Sequence, residues 1–367
     1  MTQPRVAFPS YVPCLRRWSA AASRSDTRRG IQIPEMSIRP PLTDMPTIEA
    51  AAAALRRGDT TSVALTDACL SVIERRSQSL GAFITVTADE ARNAARDADR
   101  ERAAGIDRGP LHGIPISLKD LVDMAGVPTT AASRVRDGHV ARADAVVTAR
   151  LKAAGAVLVG KTNLHEFAFG TTNEDSAYGP ARHPLAPERS PGGSSGGSAV
   201  SVATGMALAS IGTDTGGSAR IPAAACGLVG LKPTSGEIPV DGVVPLSPTL
   251  DHVGPLCQTV ADTRIVYDVL RGGAPGADVP PTRPLRGLRL GIPQTYFLEL
   301  LDGEVARQFE ASCQRLSAEG VALVPVEVAL TEMIAAIYLH LSLPEAAAYH
   351  APALEQMPER YTPAVRM

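Results

Sequence analysis

From Pro46 onward the apolar and polar positions follow the periods of regular structure. Residues 47–59 and 62–76 carry apolar side chains at three- and four-residue spacing, which predicts two amphipathic helices. Ala82 to Thr87 predicts a strand, and the polar stretch from Ala88 to Gly105 an exposed helix. Gly113 to Asp120 predicts a short strand, residues 143–155 a helix, and Ala156 to Gly160 another strand. A loop rich in Pro, Asn, Gly and Ser then runs from Lys161 to Pro191, a length that points to function. Residues 195–207 suit a small-residue helix that packs closely, and Leu208 to Asp214 a strand leading into the turn that holds Ser218. Beyond Gly230 come a Pro/Gly-rich stretch, a helix from Val260 to Arg271, a linker from Gly272 to Gly287, a strand over 288–293, a helix over Glu304 to Ala318, a strand over 321–328 and terminal helices. Strands and helices alternate throughout, which predicts an α/β fold with helices on both faces of the sheet.

Composition narrows the function classes. With 367 residues, 44% of them apolar, the chain can bury a large core. Its formal net charge is −2 and it has no block of like charges, which argues against a nucleic-acid surface and for a small-molecule partner. Cys14, Cys69, Cys226, Cys257 and Cys313 are odd in number, widely spaced and without a CxxC pair, so neither a disulfide framework nor a zinc site is suggested and a reducing, cytoplasmic setting fits. The seven histidines lack metal-site spacing. No apolar run reaches the roughly 20 residues of a membrane helix. Residues 1–35 hold six arginines and a single acid before Glu35. This stretch reads either as a transit peptide or as a translated leader ahead of a start at Met36 or Met45, so residues 1–45 are set apart from the domain expected over 46–367.

The candidate chemistry sits in glycine-rich segments. Ser190 to Ala203 could cradle a phosphate, but it lacks the Lys-Ser/Thr ending of a P-loop and follows no strand. Gly192 to Gly196 matches the G-x-S-x-G nucleophile elbow, yet the prolines before it rule out the strand that an elbow needs. Ser218, behind two glycines, is either a helix cap or a nucleophile. A nucleophilic serine needs a base that is neutral near pH 7, and a lysine buried in an apolar strand loses affinity for its proton. Lys119 ends such a strand, in a chain with 32 arginines and only four lysines. Arginine cannot deprotonate, so a lysine in this background points to titration; the plainer alternative is a strand-end lysine paired with Asp120.

The segments Gly109–Asp120, Ser190–Gly205 and Gly212–Thr234, in this order and with 75 residues from Lys119 to Ser194, closely resemble the amidase signature family of serine hydrolases. The resemblance implies a mixed β-sheet sandwiched between layers of α-helices and an acyl-enzyme mechanism without metal or organic cofactor. It assigns Ser218 as nucleophile, Ser194 as bridging serine after a cis bond from Gly193, and Lys119 as general base. Backbone N–H groups of Thr215, Gly216, Gly217 and Ser218 would form the oxyanion hole. Asp214 and Arg220 are expected to form a buried ion pair that holds the loop, and Ser195 and Ser198 to support the site or cap the helix. Phe167 and Phe169 either border the acyl pocket or pack in the core. Cys226, with no charged neighbour, reads as a small buried hydrophobe.

Two activities are implied. The leading one is a general amidase acting on a small carboxamide, alone or as a homodimer; the other is the A subunit of a glutamyl-tRNA amidotransferase, which works with partner subunits. Family members usually continue for roughly a hundred residues past the position of Met367, so the domain is expected to be C-terminally incomplete. A third reading follows: a catalytically inactive remnant or binding subunit with exposed strand edges.

Overall fold

The computed structural model describes residues 43–273 and 284–366. The arginine-rich leader and most of the Gly/Pro linker lie outside the described residues.

The first two helices form where the apolar spacing places them, and their ends have local causes. Helix α1 (Ile48–Arg57) starts at Thr47, whose hydroxyl accepts the N–H of Ala50; α2 (Ser62–Leu80) starts at Thr61, which accepts from Ala64 in the same way. Each stops at a left-handed glycine, Gly58 or Gly81.

A six-stranded sheet follows. It comprises β1 (Phe83–Val86), β2 (Pro115–Lys119), β3 (Val157–Thr162), β4 (Ala209–Asp214), β5 (Val229–Gly230) and β6 (His252–Cys257), in the spatial order β1-β3-β2-β4-β6-β5. The central strand β2 runs parallel to β3 and β4, while β1, β5 and β6 pair antiparallel, so the sheet is mixed. Strands β2, β3 and β4 are buried at every position, as expected of a sheet covered on both faces.

The strand period of two assigns the faces. Ile116 and Leu118 of β2, with Leu158 and Ile211, pack against α1, α4 (Val146–Ala153) and α7 (Val260–Leu270) through Ile48, Leu151 and Val266. On the other face Val157 and Val159 meet α2, α3 (Ala88–Ala103) and α5 (Gly196–Ala203) through Leu70, Ala91 and Val200. There Ser117 of β2 bonds Ser201 of α5 at 2.9 Å and Ser210 of β4 at 2.8 Å, so a layer of hydroxyls lies beneath α5.

Two parts of the sheet region differ from the expected pattern, while the last strand–helix–strand unit forms where expected. The Pro/Gly-rich stretch beyond Gly230 contains β6, which pairs with β4 from His252 to Cys257 although Pro255 sits inside it. The short helix α6 (Arg220–Ala225) follows Ser218 directly, and β5 is two residues long. The strands β7 (Arg289–Pro293) and β8 (Ala322–Val326), with α8 (Gly303–Ala318) between them, form a parallel two-stranded sheet of their own. Helix α9 (Ile334–Gln356) completes the order. Among the described residues no helix is long and apolar enough to cross a membrane.

Helix α5 approaches the sheet closely because it begins with two glycines. A methyl group on Gly197 would lie 2.5 Å from the carbonyl oxygens of both Ala82 and Asn163, and backbone cannot move aside cheaply. Gly197→Ala is therefore expected to destabilise the chain by about 1–3 kcal/mol, read as a lower urea midpoint; an unchanged midpoint would contradict the packing described.

Candidate active site

Lys119 closes β2, and its side chain is fully buried. Its amine does not pair with Asp120. That carboxylate instead takes Lys161 of β3 at 3.0 Å and both the N–H and hydroxyl of Thr130, which removes the plainer of the two expectations for Lys119. Nζ of Lys119 lies 2.7 Å from Ser194 Oγ and 2.7 Å from Thr213 Oγ1, donating to each. Burial lowers its affinity for a proton from the ordinary 10.5 to about 7; the negative charges of Asp251 and Asp214 work against that shift.

Ser194 is held as firmly as the lysine. The Gly193–Ser194 peptide is cis, Ser194 is fully buried, and its carbonyl accepts the N–H of His165 at 3.1 Å. Ser195 occupies the N-cap position of α5, where its carbonyl accepts the N–H of Ala199 at 3.1 Å but its side chain makes no cap hydrogen bond. Its hydroxyl donates to the carbonyl of Thr213 at 3.2 Å and accepts the Thr213 N–H, and its own N–H donates to the carbonyl of Ser218 at 3.2 Å. Ser195 thus joins the start of α5 to both ends of the turn after β4. Ser198, one turn on, bonds Thr162 of β3 at 2.8 Å.

Asp214 ends β4 and organises the turn from within. Its buried carboxylate receives Arg220 through Nε and Nη2, each at 2.9 Å, and also the N–H of Gly217 at 2.8 Å and of Ala219 at 3.2 Å. Burial would raise this carboxyl, but the hydrogen bonds and charge of Arg220 and the backbone N–H groups outweigh it and hold it below the ordinary value. The expected pairing of Asp214 with Arg220 is in place, with Asp214 buried but the Arg220 side chain half exposed rather than buried. Of the four N–H groups expected to face an oxyanion, that of Gly217 is engaged by Asp214. The N–H groups of Thr215, Gly216 and Ser218 have no acceptor among the described residues. Ser218 is 6% exposed.

Other side chains reach the turn that the sequence patterns did not single out. Thr213 is the second partner of Lys119. Thr215 donates its hydroxyl to Asp251, just before β6, at 2.6 Å. Tyr338 of α9 lies against Gly216 so closely that a methyl there would come within 2.8 Å of the ring. Phe167 packs against His350 and Tyr361 with ring centroids 4.3 and 5.6 Å away, which decides its case for the core. Cys226 is buried, its thiol pushed up to about 12 by burial, and is inert by that measure.

The buried amine has a consequence for stability. Between about pH 7 and 10.5 the unfolded chain protonates Lys119 and the folded chain does not, so the unfolded state binds more protons and stability rises with pH across this window. Lys119→Met removes the amine at similar length. It is expected to melt above the wild type near pH 7, with the gap closing as the pH approaches 10; a gap independent of pH would contradict this.

The chain as a whole resembles known proteins in sequence and fold. The Amidase family model matches residues 64–364. The A subunit of glutamyl-tRNA(Gln) amidotransferase from Chloroflexus aurantiacus is 44% identical over 313 residues, which cover 82% of this chain and 64% of that protein, so the match spans less than two-thirds of the relative. A solved amidase superposes with a TM-score of 0.81 at 37% identity, over 88% of this chain and 72% of its own. The native peptide amidase from Stenotrophomonas maltophilia gives 0.74 at 34%, over 86% and 71%. The chain belongs to the amidase signature family.

Proposed function

We propose that the protein cleaves a carboxamide through an ester at Ser218, with Lys119 as base and Ser194 as the proton bridge. The observation that carries this reading is a fully buried amine, 2.7 Å from Ser194 and shifted to about 7, whose described contacts are hydroxyls. A protonated lysine has three donors and no acceptor, whereas the neutral amine has a lone pair that can receive the Ser194 proton. As Ser218 Oγ bonds to the amide carbon, its proton passes to Ser194 and that of Ser194 to Lys119. Charge collects on the carbonyl oxygen, for which the N–H groups of Thr215, Gly216 and Ser218 are the candidate donors. The same route then returns a proton to the departing nitrogen, the C–N bond breaks, and water cleaves the ester with Lys119 again as base. The residues supply nucleophile, base and oxyanion donors themselves, so no cofactor is invoked.

A second reading is favoured by the 44% identity to an amidotransferase A subunit. In it the amide is glutamine, and the ammonia passes to partner subunits. The two readings share every residue above and differ in substrate and partner.

With a panel of small amides including glutamine, kcat/KM is expected to rise about tenfold per pH unit up to pH near 7 and then level off, since the base must be neutral. Ser218→Ala and Lys119→Ala are each expected to lose at least about 10³-fold in kcat while remaining folded. Full turnover by either variant would end the proposal; no turnover by the wild type would leave the inactive-remnant reading standing. Glutamine cleavage that appears only with added amidotransferase partner subunits would select the second reading.

A further inference from the structure

The turn from Asp214 to Ser218 is clamped from two sides, and only the inner clamp belongs to the residues assigned so far. Asp214 holds its later half, through Gly217 and Ala219. The earlier half, Thr215 and Gly216, carries two of the three N–H groups proposed for the oxyanion, and nothing in Asp214 fixes it. Its tie is the 2.6 Å bond from Thr215 Oγ1 to Asp251 Oδ1.

That bond follows from strand register. The antiparallel ladder of β4 and β6 ends with Thr213 opposite Val253 and Asp214 opposite His252, so the next step sets Thr215 beside Asp251. Asp251 is itself fixed: its other oxygen accepts the N–H of Leu246 at 2.8 Å and of Ser247 at 3.1 Å. The loop that carries it is tied to α9 by Glu345, which accepts Ser247 Oγ at 2.6 Å, Thr249 Oγ1 at 2.6 Å and the Thr249 N–H at 3.1 Å. Seven residues earlier on α9, Tyr338 lies against Gly216. The earlier half of the turn therefore sits between a carboxylate on one bond and a ring on van der Waals contact, both referred to the same helix.

We propose that Asp251 is a positioning residue: through the Thr215 hydroxyl it sets the direction of the N–H groups at the start of the oxyanion turn. This rests on the reading of Ser218 as nucleophile. Asp251 touches no reacting atom in this role. Its carboxyl is raised by burial, and the Thr215 hydroxyl, the two backbone N–H groups and the Lys119 charge oppose that rise. The charge also lies close enough to Lys119 to strengthen that amine's hold on a proton.

A fluorophosphonate probe tests the inference without knowledge of the substrate. Ser218 Oγ bonds to phosphorus, fluoride leaves, the serine proton travels to Lys119, and the phosphonyl oxygen occupies the oxyanion position. Asp251→Ala and Thr215→Val should each slow labelling about tenfold, and the double variant should be no slower than the worse single one, because both remove the same bond. Asp251→Asn should stay within about threefold of wild type at alkaline pH, since its amide oxygen can face the two N–H groups while its NH₂ donates to the Thr215 hydroxyl. It should also move the acid limb of the labelling profile to lower pH, a shift that a merely structural residue would not cause.

Labelling of Thr215→Val at the wild-type rate, or losses in the two single variants that multiply in the double, would overturn the inference. Should Asp251→Ala not fold, Thr215→Val and Asp251→Asn decide alone. A wild type that takes no label, or a Ser218→Ala variant that does, overturns the reading of the site and this inference with it. A wild type labelled at Ser218 with Thr215→Val unimpaired overturns this inference only.

Discussion

Everything at the site depends on an amine placed where no water reaches it and no carboxylate touches it. The chain buries two lysines completely, and the contrast between them shows what the partner decides. Lys161 meets Asp120 at 3.0 Å, so burial lowers its proton affinity while an adjacent negative charge draws it back. Lys119 meets hydroxyls, and the two carboxylates that oppose its shift are themselves bound elsewhere, Asp214 to Arg220 and Asp251 to Thr215. A hydroxyl satisfies the hydrogen bonds of a neutral amine without stabilising the ammonium as an anion would. Swapping those partners would turn the proposed base into a structural ion pair.

The surrounding packing has the same logic. The face of the sheet under α5 carries Ser117, Ser210 and Thr162, which meet Ser201 and Ser198 of the helix; these groups are buried, mutually bonded and uncharged. Small side chains and the glycines at the start of α5 allow the two residues just before the helix, Ser194 and Ser195, to sit against the ends of β2 and β4. A larger or charged residue in this layer would either lift the helix or hand Lys119 a counter-ion. Close packing and an amine without a counter-ion are thus one requirement met by one set of residues.

How far the sequence foretells this varies with the kind of signal. Helices α1 and α2 announce themselves through threonine caps, terminal glycines and regular apolar spacing, and β2, β3 and β4 through short apolar runs, because those signals are local. Strand β6 does not: Pro255 disguises it, and it is stabilised by partners on both sides rather than by its own residues. Helix α9 contains Pro344 and Pro352, so Tyr338 has no local pattern that would aim it at Gly216. At the site, Lys119, Ser194 and Ser218 stand out because a rare residue type and two glycine-rich motifs surround them. Thr213 and Asp251 are ordinary residues whose positions acquire meaning only through register, and the engagement of Gly217 by Asp214 is a matter of turn geometry that composition does not encode.

Counting protons relates the two proposed activities. A primary amide nitrogen carries two hydrogens, and the proposed route through Ser194 would deliver one more, the proton that Ser218 gives up, so the leaving group would depart as neutral ammonia. In that proposed route Lys119 ends the half-reaction as it began, neutral, and no net proton enters from solvent. Ammonia in that form is a nucleophile; only on reaching water near pH 7 does it become ammonium. The first half of the chemistry is therefore indifferent to whether the nitrogen is discarded or used. What separates a hydrolase from a nitrogen donor is whether the mouth of the site opens to water or is covered by a protein that receives ammonia before it is protonated, and that difference lies outside the arrangement of Lys119, Ser194 and Ser218.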